Sequence, residues 1–150
     1  LSQAPAGGLR RILVAVDGSE NALRAVRHVL AEKDVYRDPL QLVLVNVQAS
    51  VVSGAVKMFF SQEQLEGYYR EEGDTAMAAA RDLVAAAGLP AEHHILVGDP
   101  AENIARLARD TRCHQIVMGT RGMGAISGMF VGSVAAKVIH RSEVPVLLVP

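Results

Sequence analysis

Tryptophan is absent from this chain, and only three tyrosines and three phenylalanines stand among its 150 residues. A core must therefore be built from aliphatic side chains, which the hydrophobic half of the composition supplies. Val, Ile, Leu and Ala cores of this kind suit parallel sheets buried on both faces. Cysteine occurs once, at Cys113, which excludes a disulfide within the chain. That residue sits just before an apolar run and is expected to pack rather than react. An excess of either charge is also missing: 15 Lys and Arg stand against 16 Asp and Glu, for a net charge of −1. Neither nucleic acid nor an anionic membrane surface is expected as a partner.

Long apolar runs are lacking as well, since none approaches the roughly 20 residues of a membrane helix. Residues 1–8 hold no basic segment followed by an apolar stretch and are not a secretion signal. They are expected to be a disordered leader or a cloning remnant ahead of one domain, residues 9–150. A domain of that size buries roughly 70% of its unfolded surface. A cytoplasmic location is the expectation. Several chemical signatures are missing too. There is no G-x-x-x-x-G-K-S/T, so the chain is not a P-loop NTPase. The five histidines show no metal-ligand spacing, and adjacent His93 and His94 point to opposite faces of a strand. No Ser/His/Asp or paired-carboxylate arrangement can be assembled, so a binding site is expected without an evident catalytic constellation.

Short apolar runs do occur, at 11–16, 40–47, 93–97, 115–118 and 144–149. Ile12-Leu13-Val14-Ala15-Val16 and Leu42-Val43-Leu44-Val45 are continuous rather than alternating, as in strands covered on both faces. Helical segments separate them. Ser19 can cap a helix with Ala22, Leu23, Val26, Val29 and Leu30 on one face. Ser61 with Gln64 forms a capping-box pattern before a long helix that stops near Gly88-Leu89-Pro90. Asp99-Pro100 with Glu102 opens a third helix, with Ile104, Leu107 and Ala108 facing inward, and a fourth starts at Ser133. Residues 51–60 read as irregular, with Met58-Phe59-Phe60 placed to close over a ligand or meet a partner. The resulting β-α-β-α-β-α-β-α-β order predicts a three-layer α/β/α sandwich around a doubly wound, five-stranded parallel sheet. Ligands in such folds bind beyond the strand C-termini, where the strand order reverses.

Two loops at strand C-termini are chemically suggestive. Asp17-Gly18-Ser19 follows the first run, and the fourth is followed by Gly119-Thr120-Arg121-Gly122, nine residues, then Gly132-Ser133. This G-x-x-G-x9-G-S spacing, between a strand and a helix, suits a phosphate cradle. Glycine lets backbone N–H groups crowd an anion, and a helix start adds unpaired N–H groups and a positive dipole end. The alternative is a flexible connection, also carrying Gly124 and Gly128, ahead of a serine-capped helix. From residue type alone, Asp17 can accept from a ribose hydroxyl, help hold a divalent cation, or simply form a turn.

The residues 12–19, Val97-Gly98-Asp99-Pro100, the glycine motif and the closing Pro145-Val146-Leu147-Leu148-Val149, taken in this order, resemble the universal stress protein family over nearly the whole chain. The resemblance implies a Rossmann-like, adenine nucleotide alpha hydrolase-like fold with strand order 3-2-1-4-5. It further resembles the family branch that keeps G-x-x-G-x9-G-S/T and binds ATP, with Mg, AMP or ADP as variations on the ligand. On this basis Gly119, Gly122, Gly132, Ser133 and Val134 would surround the phosphates, and Met118 would belong to the same nucleotide site. Asp17 would contact the nucleotide with any Mg nearby, and backbone at Ala15 and Val47 would meet the adenine edge. Arg121 would either reach a phosphate or remain solvated, and Lys137 is read as a surface residue. The Ser-Gly-Gly-x-Asp-Ser loop of related adenylating enzymes is absent. The implied function is an ATP-binding stress-response protein, regulatory rather than clearly enzymatic. The alternatives are a weak ATP hydrolase or phosphotransferase, or a dimeric adaptor with a vestigial nucleotide site. A homodimer through 144–149 is expected, because that apolar run would lie at an open sheet edge.

Overall fold

Strands and helices alternate along the chain in the computed structural model, which describes residues 8–50, 54–122 and 130–150. The order is β1 (Arg10–Ala15), α1 (Glu20–Ala31), β2 (Leu40–Gln48), α2 (Gly54–Lys57), α3 (Gln62–Ala86), β3 (Ala91–Val97), α4 (Pro100–Asp110), β4 (Gln115–Gly119), α5 (Ser133–Arg141) and β5 (Val146–Val149). All strand pairs are parallel, and the sheet runs β3-β2-β1-β4-β5. Of the expected leader at 1–8, residues 1–7 lie outside the described residues, as do the glycines at 124 and 128.

The helix starts follow from local chemistry. Ser19 Oγ accepts from Ala22 N at 3.1 Å, and Asp99 Oδ1 accepts from Glu102 N at 2.8 Å, with Pro100 in the first turn. Ser61 and Gln64 close a reciprocal capping box at 2.9 and 3.1 Å. Helix α3 is capped by Ala87, and Gly88 follows at φ +70°, a left-handed turn that glycine adopts without penalty.

The continuous apolar strands are explained by two cores, one on each face of the sheet. Ile12, Val14, Leu42 and Leu44 pack against Val26 and Val29 of α1 and Met77 and Val84 of α3. Leu13, Val43, Val45, Ile116 and Met118 pack against Ile104 and Ala108 of α4 and Ala135 and Val138 of α5. Each fully buried Leu or Ile contributes about 1.5–3 kcal/mol. Cys113 belongs to the second core at 4% exposure, where burial pushes its thiol pKa up.

Two local expectations are corrected. Residues 51–60 are not wholly irregular: α2 is a single helical turn, too short to show a periodic pattern. The last strand begins at Val146 rather than at residue 144. The Ser142 hydroxyl accepts from Val144 N at 3.1 Å and donates to Val144 O at 2.7 Å, which ties that residue into a turn, and Pro145 has no N–H to pair. Helix α5 starts at Ser133 as expected, with Gly132 rather than a serine as its cap.

Candidate functional site

The strand order reverses between β1 and β4, and a cleft of about 320 Å³ opens beyond their C-terminal ends. Ala15 and Asp17 enter it from β1 and its turn, Val47 from β2, and Met118 and Gly119 from the end of β4. Arg121 and Gly122 follow from the glycine loop, and Gly132, Ser133 and Val134 from the start of α5. All ten residues singled out in the sequence thus line one cleft. Lys137 does not line it and is exposed on α5.

The nine-residue spacing of the glycine motif has a geometric reading. Gly132 N donates to Thr120 O at 2.6 Å, so the loop returns to its own origin. Thr120 N in turn donates to Val149 O at 3.0 Å, anchoring that origin to β5. A Cβ on Gly132 would lie 3.3 Å from Thr120 O and 3.4 Å from Arg121 Cα, so a larger residue would pry the closure open. The closure sets the first turn of α5 at the cleft. Its Gly132 cap makes no side-chain hydrogen bond, and Ser133 is exposed. The first N–H groups of α5 therefore face the cleft without a side-chain cap, where the dipole favours negative charge.

The Asp17-Gly18-Ser19 turn forms the opposite wall. Gly18 has φ +87°, a backbone that other residues adopt only with strain. Asp17 Oδ1 accepts from Ser19 N at 2.9 Å, and the Asp17 Oδ2 lies where a Cβ on Gly122 would collide with it. The carboxylate thus spans from the β1 turn to the glycine loop. Among the described residues, the ionisable side chains lining the cleft are Asp17 and Arg121, one of each sign.

A second polar group sits away from the cleft. Arg11 donates to Gln41 Oε1 at 2.6 Å and to Glu92 Oε1 at 2.7 Å, linking β1, β2 and β3. That hydrogen bond lowers the Glu92 pKa, with burial opposing it and His94 adding to it. On the other face of β3, burial lowers the His93 pKa, helped by the nearby Arg81 and His94 charges. His93 and His94, adjacent in β3, thus face opposite sides of the sheet.

Sequence reasoning missed Pro100 and Ile104 of α4, which also line the cleft. The Asp99-Pro100 helix start was a usable signal, because a helix that follows a parallel strand begins at the ligand-binding end of the sheet. It also missed Asn46, a polar residue within the apolar β2 run that is only 3% exposed.

The geometry agrees with the comparisons. Residues 8–150 match the model of the universal stress protein family. A curated universal stress protein from Thermus aquaticus is 36% identical over 141 residues, covering 93% of this chain and 98% of the relative. The solved structure of MJ0577, a universal stress protein of Methanocaldococcus jannaschii, superposes with a TM-score of 0.81 at 29% identity, covering 95% of this chain and 96% of that one. A universal stress protein from Archaeoglobus fulgidus, solved in complex with dAMP, matches with a TM-score of 0.63 at 25% identity, covering 94% and 98%. With the family model matched over residues 8–150, a relative 36% identical and the same fold in solved members, this chain belongs to the universal stress protein family.

Proposed function

We propose that the protein binds an adenine nucleotide, ATP with its Mg, in the cleft between β1 and β4, and that occupancy rather than turnover is its output. The observation that carries this reading is the start of α5: a helix capped by glycine, without a side-chain cap, held at the cleft by the Gly132–Thr120 closure. An unneutralised helix start beside a glycine loop is a ready anion site. The cleft volume lies within the range of ligand pockets, about 300–1,000 Å³.

In this reading the N–H groups of Ser133 and Val134, the Ser133 hydroxyl and the loop at Gly122 hold the phosphates. Arg121, half-buried in the wall, pairs with a phosphate oxygen. Backbone at Ala15 and Val47 offers a donor and an acceptor to the adenine edge, over an apolar floor that includes Val45 and Met118. Asp17 accepts from a ribose hydroxyl or holds the cation that bridges the phosphates. Support also comes from the relative solved with dAMP, a ligand that carries the same adenine and a single phosphate.

Mass spectrometry of small molecules released on denaturing the purified protein, followed by calorimetry with ATP, ADP and AMP, tests the reading. ATP should co-purify or bind with measurable heat. Absence of both, with no thermal shift at saturating Mg-ATP, would refute it. ADP formed over many turnovers would replace occupancy with catalysis as the output.

The same reading includes a homodimer joined at β5. Among the described residues that strand ends the sheet and pairs only with β4, and it is partly exposed along its length. Open edges recruit other strands, and two copies can satisfy one another across a two-fold axis.

A further inference from the structure

We infer that Asn46, buried beneath the cleft, is a positioning residue that holds Asp17 at the nucleotide site. Its functional meaning rests on the nucleotide reading, but its structural basis does not. The β1–β2 register runs as far as Ala15↔Val45, and Val16 N still donates to Val45 O at 2.8 Å. The Val16 carbonyl, however, accepts from the side chain of Asn46, Nδ2 to O at 2.8 Å. The Asn46 Oδ1 is itself occupied, accepting from Gln48 Nε2 at 2.5 Å. The direction of the amide is therefore set by two bonds, with Gln48 holding the acceptor end and Val16 receiving from the donor end.

A peptide unit is planar, so fixing the Val16 carbonyl also fixes the amide of Asp17 and the direction in which its Cα leaves the strand. Asp17 then takes up the pose described above, with one carboxylate oxygen on Ser19 N and the other against Gly122. Few side chains can do this at residue 46. Leucine fills the space but leaves the carbonyl of Val16, itself only 2% exposed, without its partner. Aspartate sets acceptor against acceptor. A second buried polar residue, Asn103, serves α4 instead, where it donates to Asp99 O at 2.8 Å.

The test pairs a readout that needs no ligand with one that does. In Asn46→Leu, the Ser19 amide should exchange with solvent roughly tenfold faster, because the Asp17 oxygen that it bonds is no longer held in place. Unchanged exchange in a folded Asn46→Leu protein overturns the inference whether or not nucleotide binds. For ATP affinity, Asn46→Leu and Asp17→Ala are combined in a double-mutant cycle. If Asn46 acts through Asp17, its substitution costs roughly tenfold in affinity in the parent and close to nothing once Asp17 is alanine. Fully additive losses would assign Asn46 to general stability and overturn the positioning role. Faster Ser19 exchange in a protein whose parent binds no nucleotide would support the positioning and refute the nucleotide reading instead. If Asn46→Leu fails to fold, Gln48→Leu leaves the Val16 bond partner present but unsteered. It should then raise Ser19 exchange by roughly two- to threefold, and no change there overturns the inference.

Discussion

A methyl group added at Gly119 would lie 2.9 Å from Asn21 Cβ and 3.0 Å from the Asn21 carbonyl carbon and oxygen. Helix α1 therefore leaves no room for a side chain at the end of β4, so glycine at 119 is required for packing, whatever the cleft binds. Gly119→Ala should cost about 1–3 kcal/mol in urea unfolding, because a helix backbone has to shift. Gly122 differs, since its added methyl meets the carboxylate end of the exposed Asp17 side chain and no helix backbone. Gly122→Ala should leave stability within about 0.5 kcal/mol of the parent while weakening ATP binding in calorimetry. Equal destabilisation by the two substitutions would contradict this division. The motif spacing drew attention to all three glycines in the sequence, but nothing in the spacing says which serves packing and which the cleft. That distinction depends on Asn21 and Asp17, distant in sequence from residue 119 and residue 122 respectively.

Secondary-structure elements carry their own predictions. Helix α5 begins with Gly132 as its cap, so Gly132→Asp places a carboxylate where the phosphates are proposed to sit. It should stabilise the helix start by about 0.3–1 kcal/mol through capping and the dipole, yet reduce ATP affinity at least tenfold. Loss of both stability and affinity would mean that strain at the Thr120 closure dominates. Strand β3 gives a pH dependence. His93 has a lowered pKa in the fold, so the unfolded chain takes up its proton first, near the ordinary value of about 6.5. Stability from this group is present above that value and is lost as pH falls through the folded pKa. Glu92 has the same sign in a more acidic window, because the Arg11 bond stabilises its charged form. Urea midpoints should therefore fall from pH 7 to pH 5, and His93→Gln should flatten that decline. The helix caps at Ser19, Ser61 and Asp99 were legible in the sequence because capping pairs residues two or three apart. The partnership of Arg11 with Glu92 was not, since 81 positions separate the two residues.

The assembled molecule places β5 at one end of the sheet and β3 at the other. Ile116 N donates to Pro145 O and Thr120 N to Val149 O, so the odd-numbered residues of that segment turn their backbone toward β4. By alternation, the N–H and C=O of Val146 and Leu148 point outward along the open edge. The proposed dimer therefore makes a specific demand on residue 148. Leu148→Pro removes an outward N–H while leaving the pairing with β4 possible, at some cost from the lost leucine packing. Sedimentation should show a dimer for the parent and a folded monomer for Leu148→Pro. A parent protein of monomer mass at micromolar concentration would remove the dimer, and a persistent dimer in the variant would place the contact on another surface.

The order of the elements, the burial of the sheet on both faces and most helix starts were determined by the sequence itself. Strand continuity, helical periodicity and capping are all written in neighbouring residues. The glycine motif was equally visible, because an x9 spacing between a strand and a helix is a local pattern. Tertiary structure decided what such patterns become when distant segments meet. It brought the turn after β1 and the loop after β4 to one cleft, because right-handed crossovers place those strands side by side. It made Gly132 the cap of α5 through a bond back to Thr120, and it added the first turn of α4 to the cleft wall. It also gave Asn46 a partner in the Val16 carbonyl, 30 positions away, where the sequence offered only a polar residue in an apolar run. Short-range chemistry is encoded where it acts, whereas a contact between strands exists only once the sheet has set their register.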